Sequence, residues 1–210
     1  MKKALLFALC AASLATDAAA QVTASNSRFS VGFAVGRLFT LDGDASDSMA
    51  YAPLFRWGQP DGGFGPAFGL GWYTTQLPAS LGGTVADAAE LDVRPVMGGL
   101  DYTIRRGRIS YEIGATAGYT FNKARLLPAG QAFFESAGAS AVSTDVTNGF
   151  AFRPRARVYY DTSSRFTWMV GAGVLFANPE VTLRGGSQSI TFKRNLNSVT
   201  IEGGLLFALF

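Results

Sequence analysis

The sequence has no histidine and a single cysteine, Cys10, among its 210 residues. Hydrolysis and acyl transfer at a serine rely on a histidine base, and zinc sites are built mainly from histidine and cysteine. The glycines of 63–71 alternate with apolar residues, as in a strand, and do not form a phosphate-binding loop before a helix. We therefore predict a non-enzymatic protein with no catalytic residue, no metal site and no cofactor.

Charged residues are also scarce, at 16% of the chain, and the net charge is only +3. Because the basic residues do not cluster, the composition gives no basis for nucleic-acid binding. No apolar run beyond residue 20 approaches the length of about 20 residues that a membrane-spanning helix needs. Glycine (25 residues) and aromatic residues (13%) are abundant instead, in short alternating runs. This pattern indicates a β-sandwich or a β-barrel.

The first twenty residues have the features of a secretory signal peptide. Lys2 and Lys3 form a short basic region, residues 4–14 are apolar, and the alanines at 18–20 provide a cleavage site between Ala20 and Gln21. Cleavage would remove Cys10 and leave a mature chain without disulfides. We therefore predict a cleaved signal peptide at 1–20 and one domain at 21–210, with a net charge of +2.

The strongest pattern lies in 149–178, where two alternating runs flank the polar turn 161–164. In the first run Arg153, Arg155 and Arg157 share one face, and large apolar residues share the other. In the second run Gly171 and Gly173 lie opposite an aromatic and aliphatic face. Such long, aromatic strands are typical of a membrane β-barrel, with lipid outside and a narrow polar lumen inside.

The same alternation predicts an all-β fold, an eight-stranded antiparallel up-and-down transmembrane β-barrel. The predicted strands are 28–41, 48–58, 63–75, 91–104, 108–121, 149–160, 165–178 and 196–210. Connections 59–62, 105–107 and 161–164 are short, whereas 42–47, 76–90, 122–148 and 178–195 are on average much longer, which indicates short periplasmic turns and longer external loops. We also predict a short helix at 131–137 and a small hairpin pairing 181–184 with 190–193.

The signal-peptide pattern, the alternating strands and the ending Gly203-Gly204-Leu205-Leu206-Phe207-Ala208-Leu209-Phe210 resemble the small eight-stranded bacterial outer-membrane proteins. These include the OmpA-type transmembrane domain, OmpX, OmpW and the opacity-like barrels. The resemblance implies location in the outer membrane of a Gram-negative bacterium, contact with its lipid, and recognition of Phe210 by the barrel-assembly machinery. Phe210 is one position out of phase with the outward series that ends at Leu209, and no residue-specific function transfers.

Charged residues are predicted to meet inside the barrel, because an unpaired charge in so narrow a space is costly. We expect the pairs Glu112 with Arg157 and Glu202 with Arg153, and the full predicted network is Arg56, Glu112, Arg153, Arg155, Arg157 and Glu202. One interpretation is a structural filling of ion pairs, in a protein with an envelope or surface-interaction role. A second is a narrow or gated pore for small anionic solutes, which would use space beside the interior glycines. A third, implied by the OmpW resemblance, is a carrier of small apolar ligands.

The external segments 76–90 and 122–148 are polar and rich in small residues. Loops of this kind on a rigid scaffold commonly form contact surfaces. They are the predicted sites for an external ligand or a host surface, on a protein expected to be a monomer.

Overall fold

The structure, a computed structural model, describes residues 29–41, 45–58, 61–81, 84–136, 138, 142–185 and 188–209. The predicted signal peptide, the cleavage site at Ala20 and Gln21, and the terminal Phe210 lie outside the described residues. The described chain forms one helix, α1 (Pro128–Ser136), and the following strands: β1 (Phe29–Thr40), β2 (Ser48–Trp57), β3 (Gly63–Leu70), β4 (Trp72–Leu81), β5 (Thr84–Arg106), β6 (Ile109–Leu126), β7 (Val142–Val146), β8 (Gly149–Asp161), β9 (Phe166–Ala177), β10 (Glu180–Gly185), β11 (Gln188–Lys193) and β12 (Ser198–Ala208).

Nine of these strands form a closed antiparallel barrel. Its wall has eight strand positions, called staves here, and β3 and β4 follow each other along the third of them. The order around the wall is β1, β2, β3/β4, β5, β6, β8, β9 and β12. Pairing of β1 with β12, from Ser30↔Ala208 to Thr40↔Ser198, closes the barrel. The predicted eight-stranded up-and-down barrel is therefore confirmed.

Alternation of side chains along each strand separates the lumen from the outer surface. In β8 the three arginines point inward and are buried, while Phe150 and Phe152 point outward and are exposed. The outer wall carries a continuous set of large exposed apolar residues, among them Phe64, Ile113 and Val170, which are 64% to 73% accessible. So much exposed apolar surface is unsuitable for water and matches the hydrocarbon region of a bilayer.

The external end differs from the prediction in the third and fifth connections. The segment 76–90, predicted as a loop, is mostly a hairpin, because β4 continues to Leu81 and β5 begins at Thr84. The inward alternation continues through Leu77, Leu91 and Val93, which are all fully buried, so the strand pairing extends past the membrane. The segment 122–148 holds the end of β6, then α1, then β7.

The predicted helix and small hairpin are both present. Helix α1 begins three residues earlier than predicted, and β10 pairs with β11 from Glu180↔Lys193 to Gly185↔Gln188. β7 adds a third strand to that hairpin on the outer side of β10. Among the residues that the structure describes, no helix is long and apolar enough to cross a membrane.

Two apolar clusters fill the ends of the lumen. The external cluster includes Leu77, Leu91 and Val93 from the barrel, Phe134 from α1 and Leu183 from β10. The second cluster lies toward the periplasmic end and comprises Ala34, Ala52, Leu54, Tyr159, Met169 and Leu206. Arg153, Arg155, Arg157 and Glu202 occupy the level between them, and Arg56 lies against Tyr159 of the second cluster.

Candidate functional site: the charged lumen and a break in the wall

Glu202 is the centre of the largest ion-pair group in the lumen. Its carboxylate accepts a hydrogen bond from Arg153 Nη2 at 3.0 Å and another from Arg157 Nε at 2.8 Å. All three side chains are at most 9% exposed. The pairing of Glu202 with Arg153 is confirmed, but Glu202 also binds Arg157, which had been expected to pair with Glu112. The reason is the register, since Glu202 lies opposite Gly171, and Gly171 lies opposite Arg157.

Arg155 is paired with Asp101, a residue that the sequence did not single out. Its Nη2 lies 2.5 Å from Asp101 Oδ2, and its Nη1 donates to the carbonyl oxygen of Phe68 at 2.8 Å. Polar and apolar residues alternate least regularly in the predicted strand 91–104, so the sequence did not show which face Asp101 is on. Met97 and Thr103, which are an even number of positions from Asp101 and so share its face, are buried in the lumen. The position of Asp101 on that face was the signal that could have identified it.

Glu112 lies opposite Arg157 in the strand register, as predicted, but its contacts are with other residues. Its Oε1 accepts a hydrogen bond from the Tyr159 hydroxyl at 3.0 Å, and its Oε2 lies 3.8 Å from Arg56 Nε. The guanidinium of Arg56 stacks over the Tyr159 ring at 3.9 Å from its centroid. This cation–π contact stabilises Arg56 where its ion pair is long. Tyr159 was not predicted, although it has the same parity as the three arginines.

Two of the interior glycines, Gly171 and Gly173, have arginine side chains lying against them. A Cβ at Gly171 would lie 2.8 Å from Arg157 Cγ, and one at Gly173 would lie 3.2 Å from Arg153 Nε. The arginine side chains therefore lie across these glycines and fill the space beside them. In total, four arginines (56, 153, 155 and 157) face three carboxylates (101, 112 and 202), so the network has one excess positive charge.

The barrel wall is interrupted where β3 passes into β4. The ladder between this stave and β5 stops at Leu70↔Val96 and resumes at Tyr73↔Val93. The residues between face each other without ladder pairing, Gly71 opposite Pro95 and Trp72 opposite Arg94. Pro95 has no N–H to donate, which explains the interruption. These four residues form a lateral window in the wall.

On its other edge the same stave is joined to β2 over a short length. Among the described residues, β2 pairs with it at Ala50↔Tyr73 and Tyr51↔Trp72. Towards the outside, Ser46 N donates to Gln76 O at 3.1 Å, so the external end of this seam is also held. The lateral window thus has a two-residue gap in the ladder on its β5 side, and its stave is joined to β2 at only two described pairs.

A cavity of about 30 Å³ lies directly inside the lateral window. Its lining combines interior residues with residues of the outer face, namely Tyr51, Leu70 and Trp72. Its floor is formed by Arg153 and Glu202, and its remaining walls are mainly apolar, including Leu38, Ala52, Met97 and Leu175. Outside the window lies a groove of about 380 Å³, lined by 71–74 and 92–94. The cavity and the groove share Gly71, Trp72 and Tyr73.

The lateral window lies at the upper boundary of the apolar belt. Below it the outward residues of β5 are apolar, including Val96 and Leu100, whereas Arg94 in the window and Asp92 above it are charged. Trp72 packs against Phe33 and Tyr51, with ring centroids 5.9 and 6.1 Å apart, as in an interfacial aromatic belt. The window therefore opens at the level where the outer leaflet meets water. Among the described residues there is no group of three or more potential metal ligands.

Comparisons with known proteins identify the fold. A scan of protein-family models finds no match to this sequence, and a search of curated proteins finds no significant match. Among solved structures, the chain is similar to the outer-membrane protein OprG from Pseudomonas aeruginosa, with 12% identity, a TM-score of 0.73, and coverage of 88% of this chain and 97% of OprG. It is also similar to the outer-membrane protein AlkL, solved in lipid bilayers, with 14% identity, a TM-score of 0.50, and coverage of 90% and 93%.

The chain has the fold of the small outer-membrane β-barrels. Its location in a bacterial outer membrane follows from that fold together with the exposed apolar belt, which a bilayer would cover. At these identities the likeness concerns the fold, and the function has to be argued from the lumen and the wall.

Proposed function

We propose that the barrel lets small apolar molecules pass between its external apolar interior and the outer leaflet of the membrane, through the lateral window. The observation that carries this proposal is a cavity lined both by interior residues and by residues of the outer face, at an interruption of the wall. A molecule in that cavity can reach lipid without passing the full length of the lumen.

The charged network favours this sideways route over passage to the periplasm. An apolar solute that moved down the lumen would have to separate Glu202 from Arg153 and Arg157, which are hydrogen-bonded and buried. Separating a buried ion pair leaves charges uncompensated and is strongly unfavourable. Opening the lateral window breaks fewer interactions, because Gly71 and Pro95 are already outside the ladder.

The cavity is small in the described conformation. A space of about 30 Å³ holds about two water molecules, so passage of an organic molecule requires the window to widen. The proposal therefore predicts that holding the two edges of the window together will stop passage while the barrel stays folded.

A cross-link between positions 72 and 94 tests this directly. The double variant Trp72→Cys/Arg94→Cys places thiols on residues that face each other across the window, and Cys10 lies in the predicted signal peptide. The dye N-phenyl-1-naphthylamine is small and apolar and becomes fluorescent in a membrane. Cells that express the wild-type barrel should take up the dye faster than cells without it. Oxidation of the double variant should abolish that increase, and reduction should restore it.

The matched control is Trp168→Cys/Leu205→Cys. These residues also pair across neighbouring strands on the outer face, but in the continuous ladder between β9 and β12. Its oxidation should leave dye uptake unchanged. Uptake that is insensitive to the 72–94 cross-link, with the cross-link confirmed by thiol titration, would refute passage through the window.

A narrow anion path is the second candidate, favoured by the excess positive charge of the network. Because every arginine of the network contacts a carboxylate, we expect the refolded chain 21–210 to give no steady conductance in a planar bilayer. Steady openings whose ion preference changes with Arg155→Ala would support the anion path instead. If neither transport activity is found, the ion pairs are best interpreted as structural. The envelope or surface-interaction role, with contacts through 76–90 and 122–148, then becomes the leading proposal.

A further inference from the structure

Two residues that line the cavity behind the lateral window each carry a polar atom without a hydrogen-bond partner among the described residues. Tyr73 and Arg153 both line it, and they are 7% and 9% exposed. The Tyr73 hydroxyl and the Arg153 Nε are buried, and neither has a hydrogen-bond partner among the described residues. Leaving such a group unsatisfied costs about 1–3 kcal/mol, more for a charged one, so orphaned donors at a cavity indicate a ligand or water that would accept from them.

Both free groups can act as donors, and the surrounding charge is positive. An arginine Nε carries only a donor, and a tyrosine hydroxyl can donate its proton. Arg153 shares its carboxylate partner Glu202 with Arg157, so this group of three has one uncompensated positive charge. Two donors beside an excess positive charge complement an anionic oxygen better than a neutral one.

We infer that the ligand of this cavity is an amphiphile with a terminal carboxylate, bound through Tyr73 and Arg153, with its apolar tail in the lateral window. This inference rests on the proposed function, since it names the class of molecule that uses the same cavity. The dimensions agree with it. The inner cavity of about 30 Å³ accommodates a headgroup of a few atoms, and the outer groove of about 380 Å³ accommodates a tail. Tyr73 lines both spaces and so marks their junction.

The apolar residues of the site favour a ligand with an apolar chain, as the two hydrogen-bond donors favour a carboxylate. The first carbons next to the carboxylate would contact Leu38, Ala52, Met97 and Leu175 in the cavity, and the rest of the chain would contact the ring of Trp72 in the window. Burial of each CH₂ group in such surroundings contributes about 0.8 kcal/mol. A molecule that has a carboxylate but no apolar chain, such as acetate, should therefore bind poorly.

The test uses nuclear magnetic resonance of the refolded chain in detergent micelles, observing the Nε–H signal of Arg153, assigned with the variant Arg153→Lys. Decanoate and decan-1-ol are titrated separately and compared at equal mole fraction in the micelle. The signal should shift with decanoate at a midpoint at least about tenfold lower than with decan-1-ol. Hydrogen bonds to charged groups are strong enough for such a difference.

Tyr73→Phe is the decisive variant, because it removes only the unpartnered hydroxyl and keeps the ring. It should raise the decanoate midpoint about tenfold or more, and it should change the decan-1-ol midpoint little. Its unfolding free energy in the absence of ligand should not fall, since no hydrogen bond is lost. Heat-modified gel mobility shows that the variant is folded.

The outcomes separate this inference from the proposed function. Equal midpoints for the two probes, or a decanoate midpoint that Tyr73→Phe leaves unchanged, would overturn the carboxylate inference. Passage through the window would still stand if dye uptake depends on the 72–94 cross-link. An absence of decanoate binding together with uptake that ignores the cross-link would refute both.

Discussion

Replacement of Glu202 by glutamine tests whether charge pairing in the lumen stabilises the barrel. In the wild type, the Glu202 carboxylate binds Arg153 and Arg157 at 3.0 and 2.8 Å, and all three residues are buried. Glutamine has nearly the same shape but offers one acceptor oxygen and an NH₂ group. It can satisfy one arginine only, and its NH₂ group would face the other.

The magnitude follows from the number of cations left behind. Removing one partner of a buried ion pair typically costs about 3–5 kcal/mol, because the remaining charge is uncompensated. Here two arginines lose a charged partner while glutamine retains one hydrogen bond. We therefore expect Glu202→Gln to lower the free energy of unfolding by at least about 3 kcal/mol.

The matched control is Glu90→Gln, at the external end of the barrel. Glu90 contacts Arg125 at 2.5 Å, and its own side chain is 18% exposed, but the charge that it pairs with is in solvent because the Arg125 side chain is 73% exposed. Exposed ion pairs contribute about 1 kcal/mol or less, so this variant should differ little from the wild type. Both variants can be compared by urea titration of tryptophan fluorescence in lipid vesicles, with unfolding free energies extrapolated to zero urea. Equal losses in the two variants would refute a stabilising role for the buried network.

Two further substitutions examine other parts of the lumen. Glu112→Gln should lower the thermal stability of the folded barrel more than Glu180→Gln, because Glu112 is buried between the Tyr159 hydroxyl and Arg56, and equal melting shifts on heated gels would contradict the pairing. Gly114→Ala should strongly impair folding, since its Cβ would overlap the Leu100 carbonyl oxygen and the Asp101 carboxylate, whereas Gly203→Ala, with its nearest atom 3.9 Å away, should refold normally.

The barrel itself was predictable because strand alternation is a local property. Residues that are two positions apart on a strand lie on the same face of the sheet. Arg153, Arg155 and Arg157 could therefore be assigned to the lumen from their spacing. The turns followed similarly, since short polar connections alternate with long ones. The predicted outward positions of Phe150, Trp168 and Val170 are confirmed by their exposure.

Prediction was weaker where a segment leaves the membrane. The apolar residues of 76–90 continue the alternation of the membrane strands. The polar and small residues between those apolar residues nevertheless indicated a loop. Leu77 and Leu91 of the hairpin are buried in the same apolar cluster as Phe134 of α1. That helix lies more than thirty residues further along the chain, so the support for the hairpin is not visible locally.

Alternation thus suffices to establish the number of strands, the lumen-facing set and the lipid-facing belt, because each depends on neighbours along the chain. The partners inside the lumen depend on strand register and on the inclination of strands around the barrel, which only closure establishes. Asp101 reaches Arg155 across 54 positions of sequence, and Glu202 reaches two arginines rather than one. The lateral window also depends on register, since the pairing of β3 and β4 with β5 places Gly71 opposite Pro95.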